Sequence, residues 1–327
     1  MKVLYCALGY DYGDPTRGAS YERANFEDTL RHMPLEMIHF DFADEILRAG
    51  FWEANRRLKE LVAQWKPDVM FCVMFEEQLD RALIAEISQS TPTTTVAWFC
   101  DDHWRFDIYS RQWASAFNWV VTTDRDSVQR YQRVGQPNVI LSQWACNHFI
   151  YHPVETRESY DITFIGQPHG RRRATIDFLR HRGMDVRCWG QGWPAGRVTN
   201  DDMVAIFSSS KVCLNFSGAS SGGSGLLHGR VPNQIKGRVF EVAGCGSLLL
   251  TEWAPGIEDF YAPGREIVVF RTRTELLRLA RSLLENDEAR RRIAHAGYQR
   301  TLREHTFEKR LSDVFRTVGV HRPSDPA

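Results

Sequence analysis

The sequence lacks a net charge. Over 327 residues, 41 Lys plus Arg balance 41 Asp plus Glu, so no long-range field draws the protein to nucleic acid or an anionic membrane, and a bound anion needs a local cluster. It also lacks the roughly 18 uninterrupted apolar residues of a membrane span. The opening run Met1–Cys6 is too short for a signal sequence and no cleavage-like site follows it. A membrane-bound partner would therefore have to be met peripherally, at the surface. Cysteine is sparse, odd in number and scattered: Cys6, Cys72, Cys100, Cys146, Cys188, Cys213 and Cys245 show no zinc spacing and read as reduced core thiols of a cytoplasmic protein. No closely spaced His/Cys/carboxylate set occurs, and Asp101-Asp102-His103 is too compressed to form a cage by itself, so no metal is expected. There is no short-period repeat and no Gly-x-Gly-x-x-Gly, which leaves a dinucleotide assignment unsupported.

What is present is an ordinary globular composition, 43% hydrophobic and 25% charged, at a length suited to two domains. Short β-branched and aromatic runs alternate with stretches of helical length, the pattern of parallel sheets covered by helices. Strands are predicted at Val3–Leu8, Glu36–Phe40, Val69–Val73, Thr95–Phe99, Trp119–Thr122 and Val139–Leu141, with helices at Tyr21–His32 and Trp52–Trp65. After His152-Pro153, Glu155–Tyr160 carries no periodicity and reads as a linker. The pattern then restarts, with strands at Asp161–Ile165, Asp185–Trp189, Val212–Phe216, Ser247–Thr251 and Glu266–Phe270 and helices between and after them. The expected organisation is α/β: a Rossmann-like domain over 1–155, a second over 156–310, and a helix end and tail over 311–327. Ligands of such doubly wound sheets sit beyond the carboxyl ends of the strands, so two units imply a cleft between them.

The most informative stretch runs from a strand ending in Asn215, through the glycine/serine loop Gly218–Gly229, to Asn233-Gln-Ile-Lys-Gly-Arg-Val-Phe-Glu-Val-Ala-Gly-Cys-Gly246. Lys236 and Arg238 stand at a helix start, where cations and backbone N–H groups suit a diphosphate. Glu241, one turn beyond Arg238, can accept two hydroxyl hydrogen bonds from a ribose, or can simply pair with Arg238. Gly244-Cys245-Gly246 can equally be an ordinary helix stop. Gly166, with Arg171, Arg172 and Arg173 after it, opens a second loop before a helix and offers N–H groups and guanidinium forks to phosphate, or forms a solvated basic turn. Trp189 and Trp193 can stack on a base or pack as core and rim.

Arg238–Gly246, Leu248–Thr251, Gly256–Tyr261, Pro263–Phe270, Ala296–Tyr298 and Glu304–Arg310 together resemble, in order, the C-terminal region of the CgeB-like, group 1 type glycosyltransferases. Asp161–Gly166 and Ser210–Ser217 fit the same pattern, whereas the first half matches mainly in Trp98–Asp102. The resemblance implies a GT-B fold, with two Rossmann-like domains, acceptor in the first and nucleotide-diphosphate sugar in the second, and the final helix packing back across. It places Glu241 on the nucleotide ribose and Lys236 and Arg238 among the donor contacts; from their loop and strand-end positions Gly166, Arg171, Arg172 and Asn215 are expected beside them, with no cofactor beyond the donor. Where retaining relatives keep a glutamate, position 233 is Asn, so retention and inversion both stay open. The loop Gly9–Gly18 takes the acceptor position, making Tyr10, Tyr12 and Arg17 acceptor contacts or surface-turn residues. Asp101, Asp102 and His103 are the candidates for a catalytic base, or one Asp is a helix cap. His305 and Arg310 read as structural. The expected function is hexosyl transfer to an unknown acceptor hydroxyl; a sugar-nucleotide epimerase and a non-catalytic nucleotide-sugar binder remain the alternatives.

Overall fold

The computed structural model describes residues 1–218 and 233–319. The central strands are built on apolar runs: Val69–Val73, for example, is buried throughout, as a strand covered on both faces must be. In chain order the first unit contains β1 (Lys2–Cys6), α1 (Asp28–His32, continuing a π-helical turn at Arg23–Glu27), β2 (Glu36–Phe40), α2 (Phe42–Ala49), α3 (Phe51–Trp65), β3 (Val69–Val73), α4 (Arg81–Ser90) and β4 (Thr94–Phe99). There follow α5 (Asp102–Arg105), α6 (Arg111–Trp113), β5 (Trp119–Thr122), α7 (Arg125–Arg133) and β6 (Val139–Leu141). The second unit contains β7 (Tyr160–Ile165), α8 (Arg172–His181), β8 (Val186–Trp189), α9 (Asn200–Ser208), β9 (Ser210–Asn215), α10 (Arg238–Gly244), β10 (Leu249–Glu252), β11 (Val268–Phe270), α11 (Arg273–Glu285) and α12 (Asp287–Glu304). The last helix, α13 (Phe307–Thr317), returns to the first unit.

Both sheets are parallel throughout, with orders β2-β1-β3-β4-β5-β6 and β8-β7-β9-β10-β11. In each, the chain winds one way from the first strand to the second and then the other way from the third, so the switch points lie between β1 and β3 and between β7 and β9. At such a point the loops leaving the two strands diverge and open a crevice.

The two compact units are Met1–Gln143 with the segment from Phe307 onward, and Trp144–Thr306. The boundaries expected after 155 and 310 thus move to 143/144 and 306/307, for a packing reason. Cys146 and Tyr151 are buried in the core of the second unit, and Cys146 bridges to Thr306. Phe307 packs on Phe26 at 4.7 Å and Phe315 on Phe71 at 6.0 Å, so α13 completes the first core. Gly244 reads in the sequence as part of a helix stop, but its lack of a Cβ has another cause. A methyl group there would overlap the Cys146 Sγ, so glycine is what lets the Cys146 segment lie against α10.

Candidate functional site

In the second unit the crevice at the β7/β9 switch point is framed by the loop after β7, the start of α8 and the approach to α10. Arg172, half-buried at the first position of α8, donates to the carbonyls of Gln167 (3.2 Å) and Gly218 (3.1 Å), so it ties the two loops together. Beyond Gly218, the glycine/serine loop expected at this point lies outside the described residues. Burial pushes Arg172 down to about 10, where it is still charged at neutral pH; Glu252 opposes this and Arg238 adds to it. His169, from the same loop, is pushed down to about 4 by burial first, and then by Arg172 and Lys236. Arg172 and Lys236, distant in sequence, thus both act on His169, and Arg238 acts on Arg172. The two cations add to what burial begins, and the imidazole is neutral at neutral pH.

The expected residues divide by orientation. Arg238 and Glu241 form an ion pair at 2.6 Å, with the Glu241 side chain 2% exposed, and the Arg238 guanidinium also lies over Phe207 at 5.5 Å. The pairing that the sequence allowed as an alternative is therefore present. Gly166 is held by its backbone, donating to Trp189 O and accepting from the Trp193 indole, both at 2.8 Å. Arg173 donates to Gly192 O and stacks on Trp193 at 4.5 Å, while Arg171 is exposed. Trp193 is therefore packing. Asn215, expected to face the donor, is turned into the sheet instead: it is buried and its amide donates to Thr251 on β10 at 2.9 Å. Its place at a strand end was readable, but its direction was set by the neighbouring strand. Asn233 donates to Trp253 O at 2.7 Å. The adjacent carboxylate of Glu252 accepts from the Ser217 N–H at 3.0 Å. Neither His169 nor Glu252 stood out in the sequence as an individual residue.

In the first unit the loop after β1 is folded on itself. Asp11 N–H donates to Gly18 O at 3.0 Å, Asp11 pairs with Arg17 at 3.2 Å, and the Arg17 guanidinium stacks on Tyr12 at 4.4 Å. Tyr12 meets Phe75, from the loop after β3, edge-on at 5.3 Å, so the two loops of this switch point touch. Arg23 stacks on Tyr10 at 5.6 Å. Of the three expected catalytic residues, Asp102 needs correction. It has no exposed surface, its carboxylate accepts from the buried Tyr131 hydroxyl at 2.9 Å, and burial raises it to about 6 against hydrogen bonds from Ser110, Thr122 and Tyr131. Its role is inside the unit. Asp101 precedes α5 and His103 lies within it, both half-buried. A further carboxylate, Glu22, was missed because nothing in its local sequence marks it. Burial raises it to about 7, with Asp11 and Asp101 adding to the rise. Asp124 caps α7 through Ser127. His305 Nε2 donates to Phe260 O at 2.6 Å, in an aromatic nest with Phe240 and Tyr261, a packing role. Among the described residues no group of three or more His, Cys, Asp or Glu could hold a metal ion, and no helix is long and apolar enough to cross a membrane.

Residues 171–316 match the family described as glycosyl transferase-like. No curated protein matches the sequence. Among solved structures, a sucrose-phosphate synthase from Thermosynechococcus elongatus is similar over 97% of this chain and 99% of its own, at 9% identity and a TM-score of 0.63. Anabaena Alr3699/HepE in complex with UDP-glucose is similar over 97% and 100%, at 12% identity and 0.63. AviGT4, a glycosyltransferase involved in avilamycin A biosynthesis, is similar over 97% of both chains, at 14% identity and 0.64. The fold is GT-B. The match to the family model begins at Arg171, inside the unit that carries the cation cluster, and ends within α13.

Proposed function

We propose that the protein transfers a hexosyl group from a nucleotide-diphosphate sugar to an acceptor hydroxyl, with the donor held by the second unit. The observation that carries this reading is the convergence of Arg172 and Lys236 on His169, with Arg238 acting on Arg172 and Arg172 tying Gln167 to Gly218, at the β7/β9 switch point. The match to glycosyl transferase-like sequences supports it, as does the UDP-glucose held by a protein of the same fold. The acceptor oxygen attacks the anomeric carbon, the bond from that carbon to the diphosphate oxygen breaks, and the diphosphate leaves with the bonding electrons. Arg171, Arg172 and Lys236 stabilise the charge that develops on it, through directed cations at fixed positions. Gly166 lends backbone to the same loop. Arg238 holds Glu241, and Glu241 receives the ribose hydroxyls. On the acceptor side, Tyr10, Tyr12 and Arg17 form the binding loop, and Asp101 or His103 takes the hydroxyl proton.

The test is calorimetric titration of UDP, GDP, ADP and UDP-glucose into the protein and into Glu241→Gln, which keeps the shape of the side chain. One nucleoside diphosphate should bind at micromolar concentration, and Glu241→Gln should weaken it about tenfold, the loss of a charged hydrogen bond. Absence of binding by all four ligands removes the donor reading; undiminished binding by the variant removes the ribose role alone.

A further inference from the structure

Tyr12 has a left-handed backbone, φ 55 and ψ 25, a conformation that is a genuine outlier for a bulky residue. Strain of this kind persists only where surrounding structure enforces it. Here the Asp11–Gly18 hydrogen bond and the stacked Arg17 do so. The consequence is an aromatic ring 58% exposed, at the β1/β3 switch point, with one edge on Phe75. Beside it stands Arg105. Its guanidinium lies over Tyr109 at 4.3 Å and against Phe75 and Trp104 at 5.7 Å. Tyr109 is in turn fixed by its hydroxyl donating to Glu76 O at 2.7 Å. Arg17 is neutralised by Asp11 and Arg130 by Asp107. Arg105 lies against aromatic faces, and among the described residues no carboxylate forms an ion pair with it. Aromatic walls orient a guanidinium and leave its N–H fork available to an anion.

We propose that the acceptor is a sugar bearing an anionic group, a phosphate or a carboxylate, whose ring stacks on Tyr12 and whose charge is taken by Arg105. Tyr12 and Arg105 both lean on the Phe75 ring, at 5.3 and 5.7 Å from its centre, so one aromatic wall carries both groups. The apolar C–H face of a pyranose complements the electron-rich face of the tyrosine. The anion selects Arg105 because the neighbouring cations Arg17, Arg23 and Arg130 each face a carboxylate, Asp11, Glu27 and Asp107 respectively. The proposal rests on the glycosyltransferase reading and names the substrate class of its acceptor side.

The test titrates glucose, mannose, galactose and fructose, their 6-phosphates, and glucuronate and galacturonate into the full chain saturated with UDP, followed by calorimetry. At least one anionic sugar should bind tenfold or more tightly than its neutral parent. The phosphate and uronate arms separate the two sources of charge. Arg105→Gln should abolish that preference while leaving binding of the neutral sugar unchanged. Tyr12→Asn keeps a residue that tolerates the left-handed backbone and removes the ring; it should weaken charged and neutral sugars alike, severalfold, and Tyr12→Phe should restore them. No anionic preference, or a preference that survives Arg105→Gln, overturns the proposal. Normal UDP binding by both variants keeps this outcome distinct from a failure of the donor site.

Discussion

The two sheets share one winding pattern, yet the loops at their switch points carry opposite electrostatics. After β7 and before α10, burial together with Arg172 and Lys236 pushes His169 down to about 4. After β1 and β4, burial together with Asp11 and Asp101 pushes Glu22 up to about 7. Burial is the larger cause in both. The neighbours then add with the sign that each loop supplies. Topology therefore chooses where the strand-end loops diverge, and a few loop residues set the charge felt at each point along them.

The largest expected effect separates the two ends directly. Arg172→Ala combined with Lys236→Ala should lower UDP affinity by about a hundredfold or more, since each charged hydrogen bond contributes on the order of 1.5–3 kcal/mol. Glu22→Gln should leave it unchanged. Calorimetric titration reads both, and equal losses would erase the contrast between the units.

Next in size is the pH dependence of stability. Glu22 binds its proton more tightly in the folded state than its ordinary value of 4.5 allows, so its contribution is present at low pH and lost as pH rises through about 7. Glu22→Gln cannot ionise. It should raise the melting temperature by a few degrees at pH 8 relative to the parent, with the difference closing toward pH 4. Scanning calorimetry at both pH values checks this, and a difference independent of pH would show that burial of Glu22 is not the cause.

The smallest effect is spectroscopic. The low value of His169 reflects burial and neighbouring cations, so a bound diphosphate should favour the imidazolium and raise it by on the order of one unit. An NMR titration of the His169 ring protons with and without UDP measures the change. An unmoved titration would place the phosphates away from this loop.

Much of the fold was legible in the sequence. Glu36–Phe40, Val69–Val73, Trp119–Thr122 and Val139–Leu141 are strands at the predicted limits, because an apolar run of that length between polar turns has one stable arrangement in a parallel sheet. The loops carrying Arg172, Lys236 and Tyr12 were also recognisable, since glycines and clustered cations mark them locally. Direction was not legible. Asp102 and Asn215 occupy the strand-end positions from which ligand contacts are made, but Tyr131 and Thr251, remote in sequence, draw them inward. Nor was the boundary near residue 155: Cys146 and Tyr151 look like the tail of the first half until α10 is seen to require them.

The sequence by itself determined the alternation of strand and helix, the two-unit organisation and the placing of cations in loops, because these follow from short-range pattern and steric preference. Tertiary structure alone decided which side chains face inward, that Arg105 stands among aromatic rings, and that a histidine and a glutamate at corresponding ends are driven in opposite directions. Burial and charge at a point are sums over residues that only the folded chain brings together.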